Sequence, residues 1–263
     1  MNYKELIIEK KGHISIITLN APQNRNALGI VISTELHKTL DEIEKDPEVR
    51  VVVLKGAGKG FSSGGNLKEM RDNLDNDPEI YMGNLLNAIY TVIPKIQKIS
   101  KPIIASVHGF AMGAGMNLAL ACDIVVATDN TIFSESFVKV GLIAAGHSTL
   151  ILPKLIGLKK AAELCLIGDS ISANEALELG LINKVVPEAE LEAATMEYAK
   201  KLAVGPPLAV QATKKMLYNY FNQSEEEQAE EERQTQIKMA KTNDYREGVM
   251  SFFEKRKPEF KGK

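Results

Sequence analysis

Two glycine-rich stretches carry the residues of this sequence that could do chemistry. One is Lys55-Gly-Ala-Gly-Lys-Gly-Phe-Ser-Ser-Gly-Gly-Asn-Leu67. The other is Val107-His-Gly-Phe-Ala-Met-Gly-Ala-Gly-Met-Asn-Leu-Ala-Leu-Ala-Cys-Asp123. Each follows an aliphatic run, Val49 to Leu54 and Ile103 to Val107, and each leads into helix-forming residues. Glycine lets the backbone turn tightly and come close to a ligand. The first turn of a helix leaves N–H groups unpaired and carries the positive end of the helix dipole. A bare N–H there can hold an anion, or an oxygen that becomes anionic during a reaction. In an open α/β sheet both stretches would sit at the end of the strands where ligands bind. The plainer reading is that the glycines serve only tight turns and close packing.

Spacing argues against two nucleotide motifs. A P-loop would need a glycine at position 53, which is Val53, and a Ser or Thr after Lys59, where Gly60 stands. Gly113-Ala-Gly115 begins like a dinucleotide fingerprint. Its third glycine position is Leu118, however, and five residues separate Val107 from Gly113.

The remaining elements form the frame for these loops. Lys4 to Glu9 and His13 to Leu19 read as strands of a hairpin turning at Lys11-Gly12. After the polar loop Asn20 to Leu28, the spacing of Val31, Leu36, Leu40 and Ile43 predicts a helix with one buried face, ended by Asp46-Pro47. Val49 to Leu54 reads as a buried strand, and Asn66 to Met70 as the start of a helix. Asp77 as N-cap before Pro78 opens a helix that runs to Ile99. Ile103 to Val107, Asp123 to Ala127 and Thr131 to Phe133 follow as strands. This alternation predicts a mostly parallel α/β sheet. After Gly141 to Thr149 the pattern turns helical, with helices Leu150 to Ile156 and Lys159 to Leu166 separated by Gly157. A capping box at Ser172 and Glu175 comes next, then a last strand at Ile182 to Val186. Helices are predicted over Glu188 to Ala203, Pro207 to Phe221, Ser224 onward with Glu227 as its capping partner, and Asn243 to Lys255. Glu225 to Arg233 reads as a solvated helix face. Phe252, Phe253 and Phe260 are too apolar for a free tail and are expected to pack on the core or on a neighbouring subunit.

Composition narrows the function. With 44% hydrophobic and 25% charged residues and a net charge of −2, the chain has the balance of a globular domain and no basic face for nucleic acid. No apolar run is long enough to span a membrane, and no signal peptide is visible. Cys122 and Cys165 sit among aliphatic residues, as buried thiols of a reducing compartment do. The four histidines show no zinc spacing with them. A cytoplasmic protein without a metal is the expectation.

Val49 to Met70 and Lys101 to Ile124 resemble the two signatures of the crotonase superfamily, the enoyl-CoA hydratase/isomerase family. Asn24-Arg-Asn-Ala-Leu28, Gly168 to Leu181 and the ending from Tyr245 to Lys263 match as well, so the likeness covers the whole chain. It implies an α/β fold, a crotonase-type spiral of ββα repeats followed by a C-terminal all-helical segment. The division would be residues 1–195 as the spiral core with the acyl-CoA site and residues 196–263 as a helical trimerisation segment. It implies assembly as a homo-trimer or dimer of trimers, and an acyl-CoA thioester as substrate, so that coenzyme A is part of the substrate and no separate cofactor is needed. By the resemblance, the backbone N–H groups of Gly65 and Ala114 form the oxyanion hole. Ser63, Gly65, Asn66, Leu67 and Lys68, with Asn24, Arg25 and Ala27, match the segments that contact CoA. An enolate beside a thioester is the charge that two fixed donors would stabilise.

The resemblance stops at the acid and base. The family's two hydratase glutamates fall at Asn117 and Phe137, and the acidic residue of its ring isomerases and dehalogenases falls at Ala145. An amide is no base near neutral pH and a phenyl ring has no proton to give. The likeness is strongest to the ring isomerases of phenylacetyl-CoA breakdown, at Phe137-Val-Lys-Val-Gly-Leu-Ile143 and at the C-terminal end. Candidates left nearby are His147, suited by its ordinary pKa, Glu135 and Asn117. His147 reads otherwise as a loop histidine bonded to backbone or water. Glu135 either points into solvent or reaches the acyl group. Asn117 is expected to face the pocket as a hydrogen-bonding group, and Asn66 to be structural. The expected function is an isomerase-like enzyme working through an enolate. The alternatives are an acyl-CoA-binding protein with little or no hydratase activity, or a decarboxylase.

Overall fold

The computed structural model describes residues 3–219 and 222–263. Its first unit is the expected hairpin, β1 (Leu6–Lys11) antiparallel to β2 (Ile14–Leu19), turning at Gly12 with φ 59°. Then come α1 (Ile30–Lys45), β3 (Val51–Gly56), α2 (Leu67–Asp72) and α3 (Pro78–Lys98). The second glycine stretch runs from β4 (Ile103–Val107) through β5 (Phe110–Met112) into α4 (Ala114–Leu120). Next are β6 (Ile124–Thr128), β7 (Ile132–Ser134) and α5 (Ser148–Ile167), the last broken where Gly157 leaves the helical region. β8 (Ser170–Ser172), α6 (Ala173–Glu178) and β9 (Lys184–Val186) follow. Four helices end the chain: α7 (Leu191–Val204), α8 (Pro207–Asn219), α9 (Glu225–Met239) and α10 (Asn243–Phe253).

The main sheet has the order β1-β2-β3-β4-β6-β9, parallel throughout except for the hairpin. A smaller sheet runs β5-β7-β8. The aliphatic runs alternate between two cores, as a strand period of two requires. Val52, Leu54, Ile103 and Ala105 face α1, α3 and α4, whereas Val51, Val53 and Ile104 face Ala194, Ala199 and Ala203 of α7. Being covered on both sides, β3 can be apolar at consecutive positions, which is why its sequence does not alternate.

Several expectations shift in detail. The buried face of α1 is Ile32, Leu36, Leu40 and Ile43; Val31 is exposed, because a helix presents the set separated by three and four residues. Asp77 adopts a left-handed conformation and makes no cap with its side chain. Ser172 accepts the Glu175 N–H at 3.1 Å, which is half a capping box, while Ser224 and Glu227 form both halves. α9 buries no residue, in keeping with a solvated face. The predicted helix end at Tyr220 and Phe221 lies outside the described residues. The 195/196 division falls within α7, a helix packed on the main sheet, with Thr195 bonded to Ser106 at 3.0 Å. No helix among the described residues is long and apolar enough to cross a membrane.

Candidate active site

Both glycine stretches leave the same end of neighbouring parallel strands, β3 and β4. They are joined backbone to backbone. Phe110 O accepts the Ser62 N–H at 3.2 Å, and Ser62 O accepts the Met112 N–H at 3.0 Å. This close approach explains two glycines. At Gly64 φ is +86° and a Cβ would lie 2.5 Å from Met112 O; at Gly115 a Cβ would lie 2.7 Å from the Ser62 side chain. Both distances are shorter than a Cβ tolerates, so only glycine lets the two turns meet.

Just beyond this junction the chains separate, and two N–H groups are left over. Among the described residues, neither Gly65 N nor Ala114 N has an acceptor. Ala114 is the first residue of α4, where helical bonding cannot use its N–H. Both residues line a cavity of about 150 Å³. Apart from Ser63 and Ser136, its other side-chain walls are apolar: Met82, Leu85, Leu86 and Ile89 from α3, Leu67 and Met70 from α2, and Phe137, Val140, Leu142, Ile143 and Ala145 from the segment after β7. Among the described residues, no carboxylate lines it. Unpaired donors at the edge of an apolar pocket act with full strength on any charge that develops there, since little water competes.

Of the residues matched to CoA contacts, Ser63, Gly65 and Leu67 line this cavity. Ser63 N donates to Arg25 O at 3.0 Å, and Ser62 Oγ to Asn26 O at 2.8 Å, which ties the loop of Asn24, Arg25 and Ala27 to the first glycine turn. Asn26 is fully buried. Its amide donates to Ala57 O and Gly60 O, and its Oδ1 accepts the Ala21 N–H. Leu67 and Lys68 are exposed, and Ser63 and Gly65 half-buried. Asn66 is structural, as expected: it caps α2 through Glu69 N and bonds Glu69 Oε1 at 2.7 Å. Glu69 also accepts from Tyr81 Oη at 2.9 Å, fixing α2 against α3, and burial beside this carboxylate raises the Tyr81 pKa.

None of the three acid–base candidates lines the cavity. Asn117 does not face the cavity. It is buried, and its amide donates to Ala145 O at 2.8 Å. His147 stands in a left-handed conformation before α5, its ring 5.3 Å from that of Tyr90, and does not line the cavity. Burial and then Lys98 lower its pKa, so it is neutral near neutral pH. Glu135 does not point into solvent: its exposure is 0%. Neither carboxyl oxygen has a hydrogen bond of good geometry, and burial pushes its pKa up to about 8 against smaller opposing effects of Ser148 and Asn117. Of the lining side chains, sequence reasoning missed those of α3; the apolar face of that helix was visible, but not that part of it borders a cavity.

Comparison with known proteins agrees with the geometry. The family model for enoyl-CoA hydratase/isomerase matches residues 9–263. The chain is 32% identical to the trans-2-decenoyl-[acyl-carrier-protein] isomerase of Streptococcus mutans over the full length of both. It is 34% identical to the 1,2-epoxyphenylacetyl-CoA isomerase of Escherichia coli, covering 95% of each chain. The crystal structure of an enoyl-CoA hydratase from Bacillus anthracis superposes with a TM-score of 0.94 at 32% identity, covering 99% of this chain and 100% of that one. With the fold, both glycine turns and the whole length matched, the chain belongs to the enoyl-CoA hydratase/isomerase family, the crotonase superfamily, and is an acyl-CoA enzyme of it.

Proposed function

We propose that this enzyme isomerises an unsaturated acyl-CoA, moving the double bond through an enolate whose oxygen is held by the N–H groups of Gly65 and Ala114. The observation that carries this reading is the pair of unspent donors bordering an apolar cavity. Hydration requires groups that activate water and protonate carbon, and no carboxylate lines the cavity. Migration of a double bond needs a single group to carry one proton between carbons of the same chain, and no added water, which suits an apolar pocket. Two of the relatives are named isomerases, which supports the choice. Ser63 to Lys68 and Asn24 to Ala27 are assigned to the CoA moiety. Residues 196–263 are assigned to subunit contacts, in a homo-trimer or dimer of trimers; Phe252 and Phe253 are 79% and 75% exposed on one chain, and covering them requires a neighbour.

Decarboxylation is the second reading, favoured by the same lack of a lining carboxylate, because it needs the donors and no base. Incubation with 2-enoyl-, 3-enoyl- and malonyl-CoA thioesters, with products resolved by chromatography and NMR, separates the two. Interconversion of 2- and 3-enoyl thioesters is expected. Hydration of crotonyl-CoA is expected to be at least about a hundredfold slower than in a two-glutamate hydratase of the family assayed alongside, the low end of what general acid–base groups contribute. Hydration at a comparable rate, or carbon dioxide release alone, would contradict the isomerase.

A further inference from the structure

A carboxyl group with no exposure and no well-formed hydrogen bond is rare, because burial without a good partner is costly, and such a group in a native fold calls for an explanation. Glu135 is in this position, and its surroundings lead to the cavity. The two polar side chains that act on it, Asn117 and Ser148, both donate to the carbonyl of Ala145, at 2.8 and 3.0 Å. Ala145 itself lines the cavity. Ser134, the last residue of β7 and just before Glu135, accepts the Gly113 N–H at 2.7 Å through its carbonyl, so the end of β7 that leads into Glu135 is pinned to the turn that presents Ala114. Ser136, just after it, lines the cavity.

We propose that Glu135 is the proton carrier of the acyl-CoA site, reaching the cavity past the Ala145 segment. This rests on the isomerase reading above. Starting from a 3-enoyl thioester, the Glu135 carboxylate takes a proton from the carbon beside the carbonyl. The C–H electron pair moves into the thioester, and the oxygen that becomes negative is held by Gly65 and Ala114. The Glu135 acid then gives the same proton to the far carbon of the original double bond, the electron pair flows back, and the carbonyl re-forms. Nothing is consumed and no water enters. The segment that must yield has the backbone for it: Gly141, Gly146 and His147 all have positive φ, and Ile143 between them is 84% exposed.

The electrostatic surroundings suit the role. Asn117 of α4 and Ser148 of α5 are neutral, and among the described residues no cation acts on the carboxyl. Cys165 of α5 is the titratable neighbour; burial, with the Glu135 charge, pushes its thiol up to about 11, so it stays neutral. Lys139, on the turn after Glu135, is paired with Asp169 at 2.9 Å. With its pKa pushed up to about 8, Glu135 is mainly the acid at neutral pH and a stronger base than an ordinary carboxylate when ionised.

The test is isomerisation by the wild-type enzyme, Glu135→Gln and Glu135→Asp as a function of pH. Glu135→Gln is expected to lower kcat by about a hundredfold or more with KM changed less than about threefold, and the wild-type rate to climb with pH and level off near 8. Glu135→Asp keeps a carboxyl, so it is expected to retain part of the rate and the rising limb. The thermal midpoint supplies a second readout. The unfolded carboxyl releases its proton near pH 4.3, the folded one only near 8. Wild-type stability therefore falls, relative to Glu135→Gln, as pH rises between those values. Glu135→Gln within about tenfold of the wild-type rate, a wild-type rate without the rising limb, or a midpoint difference independent of pH would each overturn the assignment. The pH profile and the aspartate variant decide even if Glu135→Gln does not fold. A wild-type enzyme that moves no proton on any thioester overturns the isomerase reading together with this one, whereas an active wild type matched by Glu135→Gln overturns this one alone.

Discussion

Ala114→Pro is expected to lower kcat by about 10²–10³, equivalent to about 2.7–4 kcal/mol of transition-state stabilisation, while leaving the fold in place. Proline removes a backbone N–H, and at Ala114 that N–H is one of the two with no acceptor among the described residues. The first residue of a helix is where proline is best tolerated, because its N–H is spare in any case. The residue before it is Gly113, which lacks the Cβ that would clash with the proline ring. The bond from Asn117 N to Gly113 O at 3.1 Å does not involve the lost group. Ala114→Ser keeps the donor and serves as control, with a rate expected within a few-fold of wild type. Steady-state kinetics with a circular dichroism check reads the result; equal rates for Ala114→Pro and wild type would remove this N–H from the chemistry.

The largest expected loss of stability lies away from the cavity, at Lys214 of α8. Its ammonium is buried and donates to Ile96 O at 2.9 Å, Lys101 O at 3.0 Å and Asp123 Oδ2 at 2.8 Å. Asp123 Oδ2 also accepts the Ile103 N–H at 2.6 Å, at the start of β4. One cation thus ties α8 to the end of α3 and to the strand that leads into the second glycine turn. Lys214→Met leaves the Asp123 carboxylate half-buried without its cation. Removing one partner of such a pair costs about 3–5 kcal/mol, because the other charge is left uncompensated. A fall in thermal midpoint of roughly 10 °C is expected for a chain of this size. Adding Asp123→Asn to Lys214→Met should recover part of it, since no charge then needs compensation and the amide oxygen still accepts from Ile103. A double variant less stable than Lys214→Met would show that the pair does not act as described.

The sequence made the frame legible because each strand is a short aliphatic run and each glycine turn follows one. The hairpin at Gly12, the break at Gly157 and the convergence of the two glycine loops are all found where the residues indicated. β5 was not visible, since three residues between glycines show no period. Resemblance and the logic of helix ends point to Gly65 and Ala114 as donors; that both N–H groups lack acceptors among the described residues is visible only in the folded chain. Glu135 was the least legible residue. Its neighbours Ser134 and Ser136 are polar, so nothing local marked the position as a fully buried one. Its depth is set by α4 and α5, which reach it from positions 117, 148 and 165.

The central claim is that this site stabilises the enolate of a bound acyl thioester. Deuterium exchange at the carbon beside the carbonyl of a saturated acyl-CoA tests it most directly, because that substrate can form the enolate but has no double bond to move. The wild-type enzyme is expected to incorporate deuterium from deuterated water into the bound thioester, and Ala114→Pro to do so at least about a hundredfold more slowly. Tight binding of the thioester by the wild-type enzyme without exchange, or equal exchange by both proteins, would contradict the account.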